Sequence, residues 1–193
     1  MKVLGICGSP RKGGNSDTLL DKALEGAASA GADTEKLVLD EMDISPVREK
    51  EYGNITDEGL SVVNDDANAV LRKIAGCDVL IIASPVFFGS VSTQTKIMID
   101  RAQCLWVAKN VHGREVFPAR RKGAFICVAG SDREDFFENA RSIIKHFFAV
   151  INADYEGELF CAGVDKKAEV LERPETLESA SELGRILART TGR

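Results

Sequence analysis

Asp78-Val79-Leu80-Ile81-Ile82-Ala83, running on into Ser84-Pro85-Val86-Phe87-Phe88-Gly89, decides the fold. Val79 to Ala83 is apolar without a break, the profile of a strand covered on both faces, and such strands belong to parallel sheets. The Pro- and Gly-containing stretch from Ser84 to Gly89 reads as the loop that ends it. Val3-Leu4-Gly5-Ile6-Cys7 repeats the pattern and breaks at Gly8-Ser9-Pro10. Gly123 to Ala129 is a third run of this kind, and Thr34 to Leu39 and Tyr155 to Cys161 are two further strands.

The segments between these strands have helical spacing. From Ser16 to Ala30, Leu19, Leu20, Ala23, Leu24 and Ala27 form one stripe, with Gly31 where a C-terminal cap belongs. Ala67 to Ala75, Thr93 to Val107, Asp132 to Val150 and Glu175 to Ala188 are the other predicted helices. Asn110 to Arg121 is a connector. Asp40 to Asp65 is polar, lacks a sustained period and contains Pro46, Gly53 and Gly59. An excursion of that length inside a domain is usually functional or disordered. Strand followed by helix, repeated along all 193 residues, predicts a single α/β domain with a parallel sheet covered on both faces. Ligands of such sheets bind at the carboxyl ends of the strands near the topological switch point. The loops after the first, third and fourth strands are therefore the ones to inspect.

Composition removes several function classes. Twenty-five Lys and Arg stand against 30 Asp and Glu, a formal net charge of −5, which argues against a nucleic-acid partner. No apolar run approaches the roughly 18 residues of a membrane span. Met1 to Cys7 is too short for a signal peptide and reads as a strand. The five cysteines, Cys7, Cys77, Cys104, Cys127 and Cys161, are scattered and form no C-x-x-C pair. That predicts reduced thiols in a cytoplasmic protein, with no disulfide framework and no zinc site. Cys104, beside Trp106, is the thiol expected to be exposed. His112 stands in a connector with no acidic partner in sequence reach, and His146 reads as a surface or packing residue among Lys145, Phe147 and Phe148, so neither is a convincing general base.

The first loop, Gly8-Ser9-Pro10-Arg11-Lys12-Gly13-Gly14-Asn15-Ser16, offers two hydroxyls, an amide, a cation and free N–H groups at a helix N-terminus. This is the chemistry of a phosphate cradle. It is neither a Walker A loop, because Gly14 and Asn15 stand where Lys and Ser/Thr belong, nor a Rossmann G-x-G-x-x-G. Cys7 lies too close to Arg11 for a low-molecular-weight phosphatase loop, and the first strand lacks the acids of a receiver domain. Phe87 and Phe88 in the second loop supply rings against which a planar ligand can lie. Ala129-Gly130-Ser131-Asp132 is small and polar, suited to a wall against a flat ligand.

A phosphate cradle, an aromatic wall and a small third loop together suit a flavin mononucleotide. The sequence resembles the flavodoxin-like NAD(P)H-dependent FMN reductases, in the branch that includes the iron–sulfur flavoproteins. The resemblance rests on Gly8-Ser9-Pro10-Arg11 with Gly14-Asn15-Ser16, and on Ser84 to Gly89 with Ile99-Asp100-Arg101. It implies a flavodoxin-like, doubly wound sheet of five parallel strands in order 2-1-3-4-5. It also implies that Ser9, Arg11, Asn15 and Ser16 hold the FMN phosphate. By the same resemblance Pro85, Val86, Phe87, Phe88 and Gly89 line the ribityl chain and isoalloxazine, with Gly130 and Ser131 at the ring's other edge. The family commonly has Tyr where this chain has Phe87. Asp100 and Arg101 match its pattern and read as an ion pair on a helix surface. Iron–sulfur flavoproteins carry clustered cysteines after the second strand, whereas this chain has none between Cys7 and Cys77, so no iron–sulfur cluster is expected.

The activity so implied is hydride transfer from NAD(P)H to FMN, then to a quinone, a nitroaromatic, a free flavin or an electron-carrier protein. No side chain need act as acid or base, since the cofactor carries the chemistry. A homodimer or homotetramer is expected because family sites are often completed across subunits, with Asp40–Asp65 and the Trp106 region as candidate contacts. The alternatives are a non-catalytic flavodoxin-like electron carrier, a flavin-binding regulatory protein, or a phosphate-loop protein without flavin.

Overall fold

Val79 and Ile81 face one hydrophobic core, and Leu80 and Ile82 face another; all four are fully buried. Strand periodicity alone turns that five-residue run into the middle layer of a three-layer domain. A computed structural model describes residues 1–133 and 135–189. Its elements are β1 (Lys2–Cys7), α1 (Asn15–Ser29), β2 (Asp33–Val38), α2 (Ala67–Ala75), β3 (Val79–Phe87), β4 (Ser90–Val91), α3 (Thr93–Arg101), α4 (Gln103–Asn110), β5 (Arg121–Val128), α5 (Phe136–Val150), β6 (Ala153–Cys161) and α6 (Pro174–Ala188). The five long strands are parallel in the order β2-β1-β3-β5-β6, the expected 2-1-3-4-5 arrangement of a flavodoxin-like fold. Helices α1 and α6 cover one face, and α2, α3, α4 and α5 the other.

Three local departures shape the carboxyl edge. Ser84 to Phe87 is strand rather than loop: β3 runs on, with Pro85 beside Val128 of β5. It then folds back as β4 through Phe88 and Gly89, whose φ values of 50° and 71° make the two-residue turn that suits a tight hairpin. The predicted helix Thr93–Val107 is two helices, because the turn tightens where the Ala102 N–H bonds the Ile99 carbonyl. Finally, α5 begins at Phe136 rather than Asp132; Glu134, within the predicted span, lies outside the described residues.

The excursion is packed, not loose. Leu60 is buried, and Met42, Ile44 and Ile55 rest against the core. Its anchor is Arg101, which is 2 % exposed. The expectation of an Asp100–Arg101 surface pair is therefore corrected. Asp100 pairs with Lys96 one turn away, while Arg101 pairs with Asp65, whose side chain is 4 % exposed. The guanidinium also donates to the Ser45 carbonyl at 3.0 Å and the Ser61 hydroxyl at 3.1 Å. Asp65 in turn accepts from the N–H groups of Ser45 and Ala67. Both ends of the excursion are thus tied to one guanidinium on α3. Cys104 is buried too, and burial pushes its thiol up to about 11, so the expected exposed thiol does not exist. Among the described residues no helix is long and apolar enough to cross a membrane.

Candidate functional site

The first loop leaves β1 under tight control. Gly8 N–H donates to the Ala83 carbonyl at 2.7 Å, and the Gly8 carbonyl accepts from the Ser92 hydroxyl at 2.5 Å. Ser92 also caps α3, accepting from Thr95 N–H at 3.2 Å, and its own N–H donates to the Ser84 hydroxyl at 3.0 Å. A Cβ on Gly8 would stand 1.8 Å from the Thr95 hydroxyl, so only glycine allows this approach. Four residues thereby staple the first loop to the switch point between β1 and β3.

Beyond the staple, Ser9 accepts from Arg11 N–H at 3.1 Å, turning the chain toward α1. Gly14 is the N-cap of α1, and no side chain caps the helix. The first-turn N–H groups therefore keep no partner within the helix, the arrangement that receives an anion. Asp17, an acid in that first turn, would oppose an anion were it not neutralised. Its carboxylate accepts from Gly13 N–H at 2.7 Å, and the Lys36 ammonium lies 2.5 Å away. Burial raises the Asp17 pKa, but Lys36 and the Gly13 N–H more than reverse that and hold it below the ordinary carboxylate value. Burial pushes the neighbouring Cys7 thiol up to about 12, leaving it inert.

Asp65 behaves as Asp17 does: burial raises its pKa, and Arg101 with the Ser45 and Ala67 N–H groups carries it below the ordinary value. A lowered folded pKa gives stability that is present above the unfolded carboxylate value near 3.9 and is lost as pH falls through the folded one. Denaturant midpoints should therefore hold steady down to about pH 5 and fall steeply below about pH 4. In Asp65→Asn the fall should be shallower from a lower starting midpoint; equal slopes in both proteins would rule this residue out as a source.

A solvent-open cleft lies along the carboxyl edge between these loops. Ser9, Arg11, Asn15 and Ser16 line one end of it; Pro85, Val86, Phe87 and Gly130 line the rest. Phe88, Gly89 and Ser131 do not line it. Phe88 is fully exposed at the hairpin tip, the Gly89 carbonyl accepts from Asn139 on α5, and Ser131 turns back to receive Arg133 N–H. The Asn15 amide is also spent elsewhere. Its Nδ2 donates to the carbonyls of Val164 and Lys166, and its Oδ1 accepts from Val170 N–H.

Those three bonds reveal a part of the site that the sequence reading missed, the segment after β6. Val164, Asp165 and Lys167 line the same cleft. Arg11 donates to the Asp165 carbonyl at 3.0 Å, and a 3₁₀ turn at Glu169–Glu172 leads the chain onward to α6. Because α6 packs along α1, the chain leaving the sheet edge must cross back over the phosphate loop. The signal available in sequence was slight: Gly163 followed by Asp165-Lys166-Lys167.

The donor set suits a phosphate monoester: the hydroxyls of Ser9 and Ser16, the Arg11 guanidinium and the N–H groups opening α1. The apolar strand end Pro85–Phe87 facing Gly130 leaves a slot without bulky side chains on one side, which suits a flat ring. Among the described residues no three His, Cys, Asp or Glu side chains converge to hold a metal ion.

An iron–sulfur flavoprotein of Methanocaldococcus jannaschii is 33% identical over 150 residues, covering 78% of this chain and 72% of that protein. The iron–sulfur flavoprotein of Methanosarcina thermophila is 33% identical over 132 residues, 68% of this chain and 64% of the relative. The chain thus spans about two thirds of the length of these relatives. In structure it is similar to the NAD(P)H:quinone oxidoreductase from Methanothermobacter marburgensis, with a TM-score of 0.70 at 20% identity, covering 100% of this chain and 98% of that one. Residues 1–155 match the family model described as NADPH-dependent FMN reductase, and the chain belongs to that family.

Proposed function

We propose that this chain binds one FMN in the carboxyl-edge cleft and takes hydride from NAD(P)H, passing electrons to a quinone, nitroaromatic, free flavin or carrier protein. The observation that carries the reading is the continuity of the cleft from an uncapped helix N-terminus to the slot between Pro85–Phe87 and Gly130. Ser9, Ser16, Arg11 and the first-turn N–H groups of α1 would hold the phosphate. Val86 and Phe87 would wall the ring. When bound, the flavin supplies reversible hydride acceptance. The protein's part is to fix the ring, exclude water from one face with apolar side chains, and leave the other face open for donor and acceptor in turn.

Pro85, Val86 and Phe87 make the ring end of the slot largely apolar, with the Asp165 carboxylate near Gly130, and no side chain is assigned a role as acid or base. Nor does the excursion favour a cluster: each of the five cysteines is buried and none lies in residues 40–65. Electrons would then leave the flavin directly for the acceptor. Association into a homodimer or homotetramer is part of the proposal, with Trp106, 45% exposed beside the groove between α4 and α5, as the contact.

The test is an anaerobic absorption titration of protein reconstituted with FMN. A stoichiometric flavin spectrum that NADPH or NADH bleaches, and that a quinone restores, is the expected result. A bound flavin that neither nucleotide reduces would replace the reductase by a carrier; a protein that takes up no flavin would overturn the reading altogether.

A further inference from the structure

The segment that crosses back from β6 to α6 lies beyond the residues shared with the family model, yet the phosphate loop holds it at several points. Asn15 clips it at Val164, Lys166 and Val170, and Arg11 binds the Asp165 carbonyl. Glu169 straightens it internally by accepting from the N–H groups of Asp165 and Lys166 at 2.8 and 2.9 Å. Arg173 fixes its start by donating to the carbonyls of Ala162 and Gly163, both at 2.7 Å. Backbone restrained at so many points delivers its side chains to defined places.

One of those side chains is Lys167. Its Cε lies 3.6 Å and its ammonium 4.0 Å from the position a Cβ would take on Gly13, and it lines the cleft with Ser9, Arg11 and Ser16. It forms no ion pair or hydrogen bond among the described residues. The other cations nearby are committed: Lys12 to Glu41, Lys36 to Asp17 and Asp21, and Arg11 in part to Asp165, whose carboxylate is 4.0 Å from its guanidinium. A phosphate monoester carries a charge between about −1.5 and −2 at neutral pH. The helix end supplies about half a positive charge, and an Arg11 shared with Asp165 supplies less than one. The balance calls for another cation, and Lys167, which lines the cleft, has no ion pair or hydrogen bond among the described residues.

We infer that Lys167, carried by the segment after β6, is a phosphate-binding residue of this protein, completing the charge on the monoester that Arg11 and the α1 N-terminus leave unbalanced. This rests on the FMN reading above. The test measures binding, not turnover: fluorescence titration of apoprotein with FMN and with riboflavin, which has the same ring without the phosphate. Lys167→Ala should weaken FMN about tenfold, the scale of one charge-assisted hydrogen bond, and leave riboflavin unchanged. It should also flatten the dependence of FMN affinity on salt. Lys166→Ala makes the same charge change one residue away and should leave FMN affinity within about twofold.

Lys167→Ala binding FMN as wild type does, or losing riboflavin as severely as FMN, would overturn the assignment while leaving the FMN reading in place. Equal losses in the Lys166 and Lys167 variants would reduce the effect to general electrostatics and overturn it as well. Wild-type protein that binds neither flavin would overturn both readings together.

Discussion

Arg101→Ala is expected to cost about 3–5 kcal/mol of stability, because it leaves the Asp65 carboxylate buried with no cation beside it. Asp65 sits 4 % exposed against a guanidinium that is itself sealed from water and serves Ser45 and Ser61 as well. Removing the guanidinium also deletes the attachment of both ends of the excursion to α3. Guanidinium or urea denaturation should show the lowered midpoint, and limited proteolysis should newly cut within residues 40–65. The paired replacement Arg101→Met with Asp65→Leu should recover much of the loss, since exchanging a buried ion pair for apolar groups of similar volume is often near neutral. A loss below about 1 kcal/mol in Arg101→Ala would place the pair in water.

The second large effect lies where α1 and α6 cross. A Cβ on Gly184 would stand 1.8 Å from the Ala23 carbonyl oxygen, and one on Gly26 would stand 1.9 Å from the Ser181 carbonyl oxygen. Each glycine accommodates the other helix's backbone, and a backbone carbonyl cannot swing aside as a side chain can. Gly→Ala inside a helix ordinarily stabilises it by about 0.5–1 kcal/mol. Here Gly184→Ala should instead destabilise by about 1–3 kcal/mol, as overpacked cores do. The sign therefore discriminates. Because α6 draws the segment after β6 across the phosphate loop, FMN affinity should fall in the same variant, and Gly26→Ala should behave alike. A Gly184→Ala protein of raised midpoint would show that the helices do not touch there.

The alternation of strand and helix was legible because it follows from apolar runs and helical stripes, all local patterns, while the strand order came with the family resemblance. The features missed around the site depend mainly on contacts far apart in sequence. Pro85 marks a loop in a one-dimensional reading, but at the end of a strand its missing N–H costs little, and Val128 still accompanies it. Arg101 has the spacing of a solvent-facing charge; its partner stands 36 residues earlier, in a stretch with no period of its own. The first-loop end of the candidate site was half visible. Ser9, Arg11 and Ser16 declare themselves by chemistry and position, while Asn15 has the right chemistry and spends its side chain on the later segment instead. Besides Gly163 and the charges after it, the docking of α6 on α1 that brings that segment over had a hint in Gly26 and Gly184, each isolated inside a helix, where glycine is costly without a packing reason.

The Asn15 clip joins residues 149 to 155 positions apart. Contacts of such separation form late, after the loop-closure cost has been met by the rest of the chain. The first loop is synthesised well before the segment after β6, which reaches it only when α6 has docked on α1. On the FMN reading proposed above, capture of the flavin therefore follows the docking of α6 on α1.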